Sequence, residues 1–245
     1  MLKLNKRYRR GYVGEDIIAQ RTLSEGNWET VTEHVPNRVT NNQISNRAVV
    51  FGNGESRLEF NTKHIMNHKS GLLGADTLQT YACNAFYRDY TPDFLVCTDR
   101  RIAQELVTSG FTTDNIVYTR VDIMLEFPSK FYLIPHDIYV DAGTTALYLA
   151  AFDGHKRIYM SGFDGQDTPG RNSNIYAGTN GYDAADATVS GVKWGEAQKI
   201  LFDTYNDVDF VHVSHTGRHW IPESWKYCSN LRRISYRDMV LEADL

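Results

Sequence analysis

From Arg47 onward, short runs of consecutive apolar residues alternate with stretches in which apolar positions recur every three or four residues. The short runs predict strands at 48–51 (AVVF), 80–83 (TYAC), 94–97 (FLVC), 116–118, 131–134, 157–160 (RIYM) and 210–213 (FVHV), with a last one at 233–236. Their β-branched and aromatic content, without polar alternation, belongs to strands covered on both faces. The helical spacing predicts helices over 100–109, 144–152 and 192–205, and a short one at the carboxyl end. Thr144 stands where it can cap the second of these, and Gly154 where a left-handed residue can end it. Strands alternating with helices in this way imply α/β construction, a Rossmann-like, doubly wound and mostly parallel sheet. Residues 1–46 break the pattern. Lys3, Lys6, Arg7, Arg9 and Arg10 interleave there with Tyr8 and Tyr12, no helical or strand period persists, and the reading is an N-terminal arm before one nucleotide-binding domain, 47–245.

Composition narrows the classes. The chain has 245 residues, 42% hydrophobic and 23% charged, which excludes disorder and fibrous repeats and allows a full core. The formal charge of −4 gives no general attraction to nucleic acid or anionic lipid. Basic and aromatic residues in the arm are the kind that bind single strands, but Glu15, Asp16, Glu25, Glu29 and Glu33 follow them, so packing or contact between copies of the chain is the better expectation. No apolar run approaches the roughly 20 residues of a membrane span, and the basic start lacks the apolar stretch of a signal peptide; a cytoplasmic protein is expected. Cys83, Cys97 and Cys228 have no CxxC spacing and read as reduced thiols. The 15 tyrosines suit either a core or a site for a planar ring.

Candidate chemistry collects at the strand ends, where open α/β sheets bind ligands. The first strand runs into Gly52, Asn53, Gly54, Glu55 and Ser56, a turn that lets backbone approach a phosphate or ribose but is neither GxGxxG nor a Walker loop. TYACNAFY places Asn84 after a strand, with Phe86 and Tyr87 beside it, and FLVCTD ends in Thr98 and Asp99. RIYMSGFDG ends in Ser161, Gly162 and Asp164, a carboxylate where a ribose diol or a divalent metal would lie. Each has a second reading as a cap or turn residue.

The order GNGES, CNAFY, then a Gly-led helix running into IYMSGFD resembles the bacterial CMP-sialic-acid-dependent sialyltransferases of glycosyltransferase family 42, over roughly 47–165. It also resembles their relatives, the motility accessory factors and the archaeal 6-hydroxymethylpterin diphosphokinases. The resemblance implies that Asn53 and Gly54 contact nucleotide phosphate or ribose, that Asn84 contacts the nucleotide or donor sugar, that Gly143, with Thr144 beside it as a further nucleotide contact, matches the turn glycine against which base and ribose lie, and that Asp164 matches the aspartate closing the following strand. After Asp164 the sequences part. The family's phosphate-holding tyrosines have only Tyr176 or Tyr182 as counterparts here, and no histidine lies between Asp164 and Val211 to supply the family's general base.

Histidines cluster instead in FVHVSHTGRHW, where His215 is the expected base, His212 alternates with apolar neighbours as a core residue would, and Arg218 suits a phosphate or sugar carboxylate. A zinc set of His212, His215 and His219 is disfavoured, because a strand running into a loop does not hold metal-ligand spacing. Residues 165–190, rich in Gly, Asn, Asp, Ser and Thr, read as a long surface loop, a lid or an excursion, with Arg171, Tyr176 and Tyr182 as its contacts to phosphate or sugar. The expectation is glycosyl transfer from a nucleotide sugar to a glycan or small-molecule hydroxyl, with no cofactor required. The alternatives are a Mg²⁺-dependent ATP:pterin diphosphokinase, with Asp99 and Asp164 on the metal, and a silent nucleotide fold used for assembly.

Overall fold

The strands that the apolar runs predict lie side by side in one sheet. A computed structural model describes residues 2–8, 46–69, 78–135, 138, 140–164, 173–183, 191–214 and 220–245, together with the backbone of 16–24 and 27–35. In chain order the elements are β1 (Asp16–Ser24), β2 (Asn27–Val35), β3 (Arg47–Phe51), α1 (Thr62–Asn67), β4 (Gln79–Cys83), β5 (Phe94–Cys97), α2 (Arg100–Thr108), α3 (Phe111–Asp114), β6 (Val117–Thr119), α4 (Val121–Glu126), β7 (Tyr132–Leu133), α5 (Ala142–Asp153), β8 (Arg157–Ser161), α6 (Gly191–Thr204), β9 (Asp209–Val213), β10 (Leu231–Ile234) and α7 (Tyr236–Ala243). Among the described residues the main sheet has eight strands in the order β10-β9-β8-β3-β4-β5-β6-β7, and every pairing is parallel. This is the Rossmann-like, doubly wound α/β fold.

Parallel strands need helices on both faces, and the residue alternation shows where they pack. Ala48 and Val50 of β3 join the cluster that contains α5, while Val49 and Phe51 join the one that contains α2 and α7. Both sets are wholly buried, which is why the strands read as continuous apolar runs. Helix α5 is apolar around its whole circumference because sheet lies on one side of it and Tyr205, Phe202 and Trp225 on the other. Its amino end is capped by Asp141, which accepts from the Thr144 backbone N–H at 2.9 Å, and Gly154 closes it at φ 100°. Thr144, the cap expected from sequence, sits one turn inside. Among the described residues, no helix is long and apolar enough to cross a membrane.

Two details differ from expectation, the start of the chain's strand content and the bounds of its last strand. The stretch read as lacking any strand period holds a nine-residue antiparallel ribbon, β1 with β2, in register from Asp16↔Val35 to Ser24↔Asn27. Residues 2–8 lie against the domain: Lys6 pairs with Asp207 at 2.6 Å, and the Tyr205 hydroxyl donates to the Arg7 carbonyl at 2.8 Å. The last strand is Leu231–Ile234 rather than 233–236, because Ser235 caps α7 by accepting from the Asp238 N–H at 3.1 Å.

Candidate functional site

Strands β3 and β8 are neighbours from which the chain departs in opposite directions, toward β4 through β7 on one side and toward β9 and β10 on the other. Such a switch point opens a crevice at the strand carboxyl ends. Two turns are knitted together there. Gly52 N–H donates to the Ser161 carbonyl at 2.8 Å, and Gly54 N–H to the Gly162 carbonyl at 3.0 Å. A Cβ on Gly52 would stand 2.3 Å from the Gly162 oxygen, and one on Gly54 would stand 2.5 Å from Asp164 Oδ2. Gly162 itself holds φ 74°. These glycines are therefore required by backbone approaching backbone, before any ligand is considered.

Asp164 is the buried carboxylate of this junction, and it faces the protein. Its Oδ2 accepts from the Ser56 N–H at 2.7 Å and from Ser173 Oγ at 2.8 Å, and its Oδ1 accepts from Ser56 Oγ. Three donors hold the carboxylate against the turn after β3, so Asp164 forms pocket wall and fixes loop geometry. Ser56 and Ser161 are buried and do not line the pocket.

Asn53 lines the pocket, with Nδ2 donating to the Cys83 carbonyl at 3.3 Å and Oδ1 accepting from Arg57 at 3.1 Å. Arg57 is 2% exposed. It also donates to the Gly52 carbonyl at 3.1 Å and to the Tyr176 hydroxyl at 2.8 Å, and its guanidinium lies over the Phe86 ring at 4.6 Å. Sequence reading passed over Arg57, since an arginine after a polar turn looks like a solvated side chain. Tyr176, expected as a catalytic or phosphate contact, is committed elsewhere. Its hydroxyl donates to Asp89 at 2.6 Å, and burial pushes it well above the ordinary tyrosine range.

Asn84 opens the turn after β4 at φ 45°, a conformation open to few residues other than glycine and asparagine. Its Oδ1 accepts from the Thr98 N–H at 3.2 Å, tying the ends of β4 and β5 together. Tyr182 comes from the segment 173–183 and lines the pocket; burial raises its hydroxyl, while the Asn84 amide and the Ala85 N–H act in the opposite sense. Asp141 and Gly143 line the pocket from the amino end of α5. Burial raises the Asp141 carboxyl above its usual range, against the hydrogen bonds from Thr144. Cys83 also lines the pocket, its thiol pushed up to about 12 by burial.

The pocket encloses about 220 Å³, and Phe163 and Trp194 supply an aromatic side to it. It brings together Gly52, Asn53, Gly54, Asn84, Gly143, Gly162, Asp164 and Tyr182 from the sequence-derived set. Asp99 is outside it: its carboxylate caps α2 by accepting from the Arg101 N–H at 2.8 Å. Thr144 is buried beneath, donating to Asp141 at 2.5 Å and accepting from Gln198 at 3.0 Å. His212 is buried on β9 with its ring edge-on to Trp225 at 5.2 Å, as the alternation suggested. Arg171, His215, Arg218 and His219 lie outside the described residues, as do 165–172 and 184–190 of the expected lid. Among the described lining residues there is no lysine, arginine or histidine, so the polar contacts on offer are amides, hydroxyls, backbone groups and two carboxylates.

No family model and no curated protein matches the chain. Among solved structures it is similar to the monofunctional alpha-2,3-sialyltransferase Cst-I from Campylobacter jejuni, at 15% identity over 70% of this chain and 77% of that one, TM-score 0.44. It is also similar to an alpha-2,3-sialyltransferase from Campylobacter jejuni in apo form, at 16% identity over 73% and 79%, TM-score 0.44. The sialyltransferase CstII from Campylobacter jejuni, in complex with the substrate analogue CMP-3FNeuAc, is similar at 15% identity over 68% and 79%, TM-score 0.40. Similarities this loose do not transfer an activity.

Proposed function

We propose that this protein binds a nucleotide-activated sugar of the CMP-sialic acid type in the switch-point pocket and transfers the sugar to an acceptor hydroxyl. One observation carries the reading: Gly52, Asn53 and Gly54 of GNGES, Asn84, Gly143, and Gly162 to Asp164 of SGFD, which belong to the stretches that resemble the family 42 sialyltransferases, come from four separate parts of the chain and line one pocket. The reaction is a direct displacement. The acceptor oxygen bonds to the anomeric carbon as the carbon–oxygen bond to phosphate breaks, the phosphate leaves with the electron pair, and a base takes the hydroxyl proton. Amide N–H groups of Asn53 and Asn84 supply neutral donors to the departing oxygens. His215, two positions beyond the end of β9, is the proposed base, and Arg171 and Arg218 are the proposed partners for phosphate or sugar carboxylate.

The scheme needs no metal. A diphosphokinase would ask Asp99 and Asp164 to share Mg²⁺, yet Asp99 caps a helix away from the pocket and Asp164 is engaged by two serines. Thermal-shift measurement against CMP, UDP, GDP and ATP, with and without Mg²⁺, tests the reading. At 100-fold excess over Kd, CMP alone should raise Tm by roughly 5–10 °C. A response to ATP only with Mg²⁺ would replace glycosyl transfer by diphosphate transfer, and no response to any nucleotide would leave an assembly role.

A further inference from the structure

The guanidinium of Arg57 carries only donors, so the amide atom of Asn53 that faces it has to be the carbonyl oxygen. The Asn53 nitrogen is thereby turned the other way. One of its N–H groups goes to the Cys83 carbonyl, and the second is left for the pocket that Asn53 lines. The same guanidinium reaches across to Tyr176, whose hydroxyl accepts from Arg57 and donates to Asp89. Tyr176 belongs to the segment that supplies Ser173, Asn174 and Tyr182 to the pocket. That segment is tied back to the turn after β3 through the Ile175 N–H on the Asn53 carbonyl at 2.9 Å and the Glu55 N–H on Ser173 Oγ at 3.0 Å. Arg88 holds its far end, donating to Thr179 Oγ1 at 2.8 Å and to the Asn180 carbonyl at 2.6 Å.

We propose that Arg57 is the positioning residue of this pocket, fixing the Asn53 amide with its N–H donors toward the ligand and fastening residues 173–183 as a wall through Tyr176. The ligand half rests on the nucleotide-sugar reading; the wall half does not. A planar fork between the rings of Phe86 and Tyr176 can serve three acceptors at fixed directions, which a lysine ammonium on a flexible stem cannot reproduce.

The test is hydrogen exchange on the full-length protein carrying Arg57→Met, which fills the slot between the rings without donors, or Arg57→Lys. With Arg57→Met, amides of 173–183 should exchange at least ~10-fold faster while those of 48–51 and 157–161 keep their wild-type rates, and Arg57→Lys should fall between. Unchanged exchange in 173–183, or equal acceleration throughout the sheet, overturns the wall. Should Arg57→Met fail to fold, Tyr176→Phe removes only the hydroxyl and decides the same question by the same criterion. For the amide, CMP is the probe. Asn53→Asp can still accept from Arg57 but offers no N–H to the pocket, so CMP binding should weaken ~10-fold or more with exchange in 173–183 unaltered, whereas undiminished binding overturns it. Wild-type protein that does not bind CMP overturns the nucleotide-sugar reading and the ligand half with it, and the exchange arm still decides the wall.

Discussion

The two ends of the sheet use charge in opposite ways. At the amino end, unlike charges meet directly: Arg157 and Arg232 both bond Asp209, at 2.7 and 3.1 Å, Arg232 continues to Glu242, and Lys6 and Lys156 share Asp207. Behind them the buried Tyr81 hydroxyl donates to Asp153 at 2.7 Å and lies 2.9 Å from His155 Nε2. At the carboxyl end the closest partners of the buried charges are neutral: Asp164 is held by serines and a backbone N–H, and Arg57 by carbonyls and a hydroxyl, its ion pair with the exposed Asp89 being longer, at 3.6 Å. Paired charges close a surface. Charges held by neutral partners fix loops in place and leave the space between the loops open, and the glycines keep the loops close enough for this to work.

The contrast can be broken at the glycines first. Gly162→Ala needs a Cβ 2.7 Å from the Gly52 oxygen at φ 74°, and should cost about 3 kcal/mol or more in urea denaturation. Gly178→Ala, at φ 77° with nothing near its Cβ, should cost only about 1 kcal/mol, the backbone penalty alone. Equal losses would show that the packing of the two turns is not what demands glycine. Asp164→Ala comes next, at about 2–3 kcal/mol, because it strands buried donors, and Tyr81→Phe at the amino end should cost about 1 kcal/mol; the reverse ranking would undo the distinction between the ends.

The smallest effect is a difference in pH response. Hydrogen bonds from Arg232 hold Glu242 below its ordinary range, and for Asp209 the bonds from Arg232 and Arg157 outweigh the raising effect of burial. Stability from this end is present above the ordinary carboxylate pKa near 4 and is lost as pH falls through the lowered values. Asp141 has the opposite sign: its native pKa is raised, so its charge costs stability above that pKa, and the cost disappears below the ordinary aspartate value. Asp141→Asn keeps a capping oxygen and should raise Tm by roughly 2 °C at pH 7, with the gain fading toward pH 4. A gain independent of pH would count against the raised carboxyl.

The sheet was legible because β3, β4, β5, β8 and β9 are buried on both faces and so carry unbroken apolar runs. Helices α1 and α4, of six residues each, are too short for a period to register. Of the site, the glycine turns and Asn84 could be read from strand-end position, and the roles of Asp164 and Tyr176 could not, because their partners come from distant parts of the chain. Arg57 is the clearest case. Its burial is decided by Phe86 and Tyr176, 29 and 119 residues further on, and nothing in its neighbourhood announces either. Two signals were present and passed over: Asp141 two residues before Gly143 was an available cap for α5, and Ser235 three residues before Asp238 marked the start of α7.

The order of strands also sets an order of events during synthesis. β3 lies between β4 and β8, and Phe51 pairs with Ser161, so one side of a central strand stays open until the ribosome has added more than a hundred further residues. At about 5–20 residues per second that is an interval of roughly 5–20 s in which Val49, Val50 and Phe51 form an unprotected apolar edge. Residues 2–8 wait longer still, for Tyr205 and Asp207. A sheet wound outward from its middle in this way keeps a buried central strand open on one side, to chaperones and to aggregation, for more than a hundred residues of its own translation.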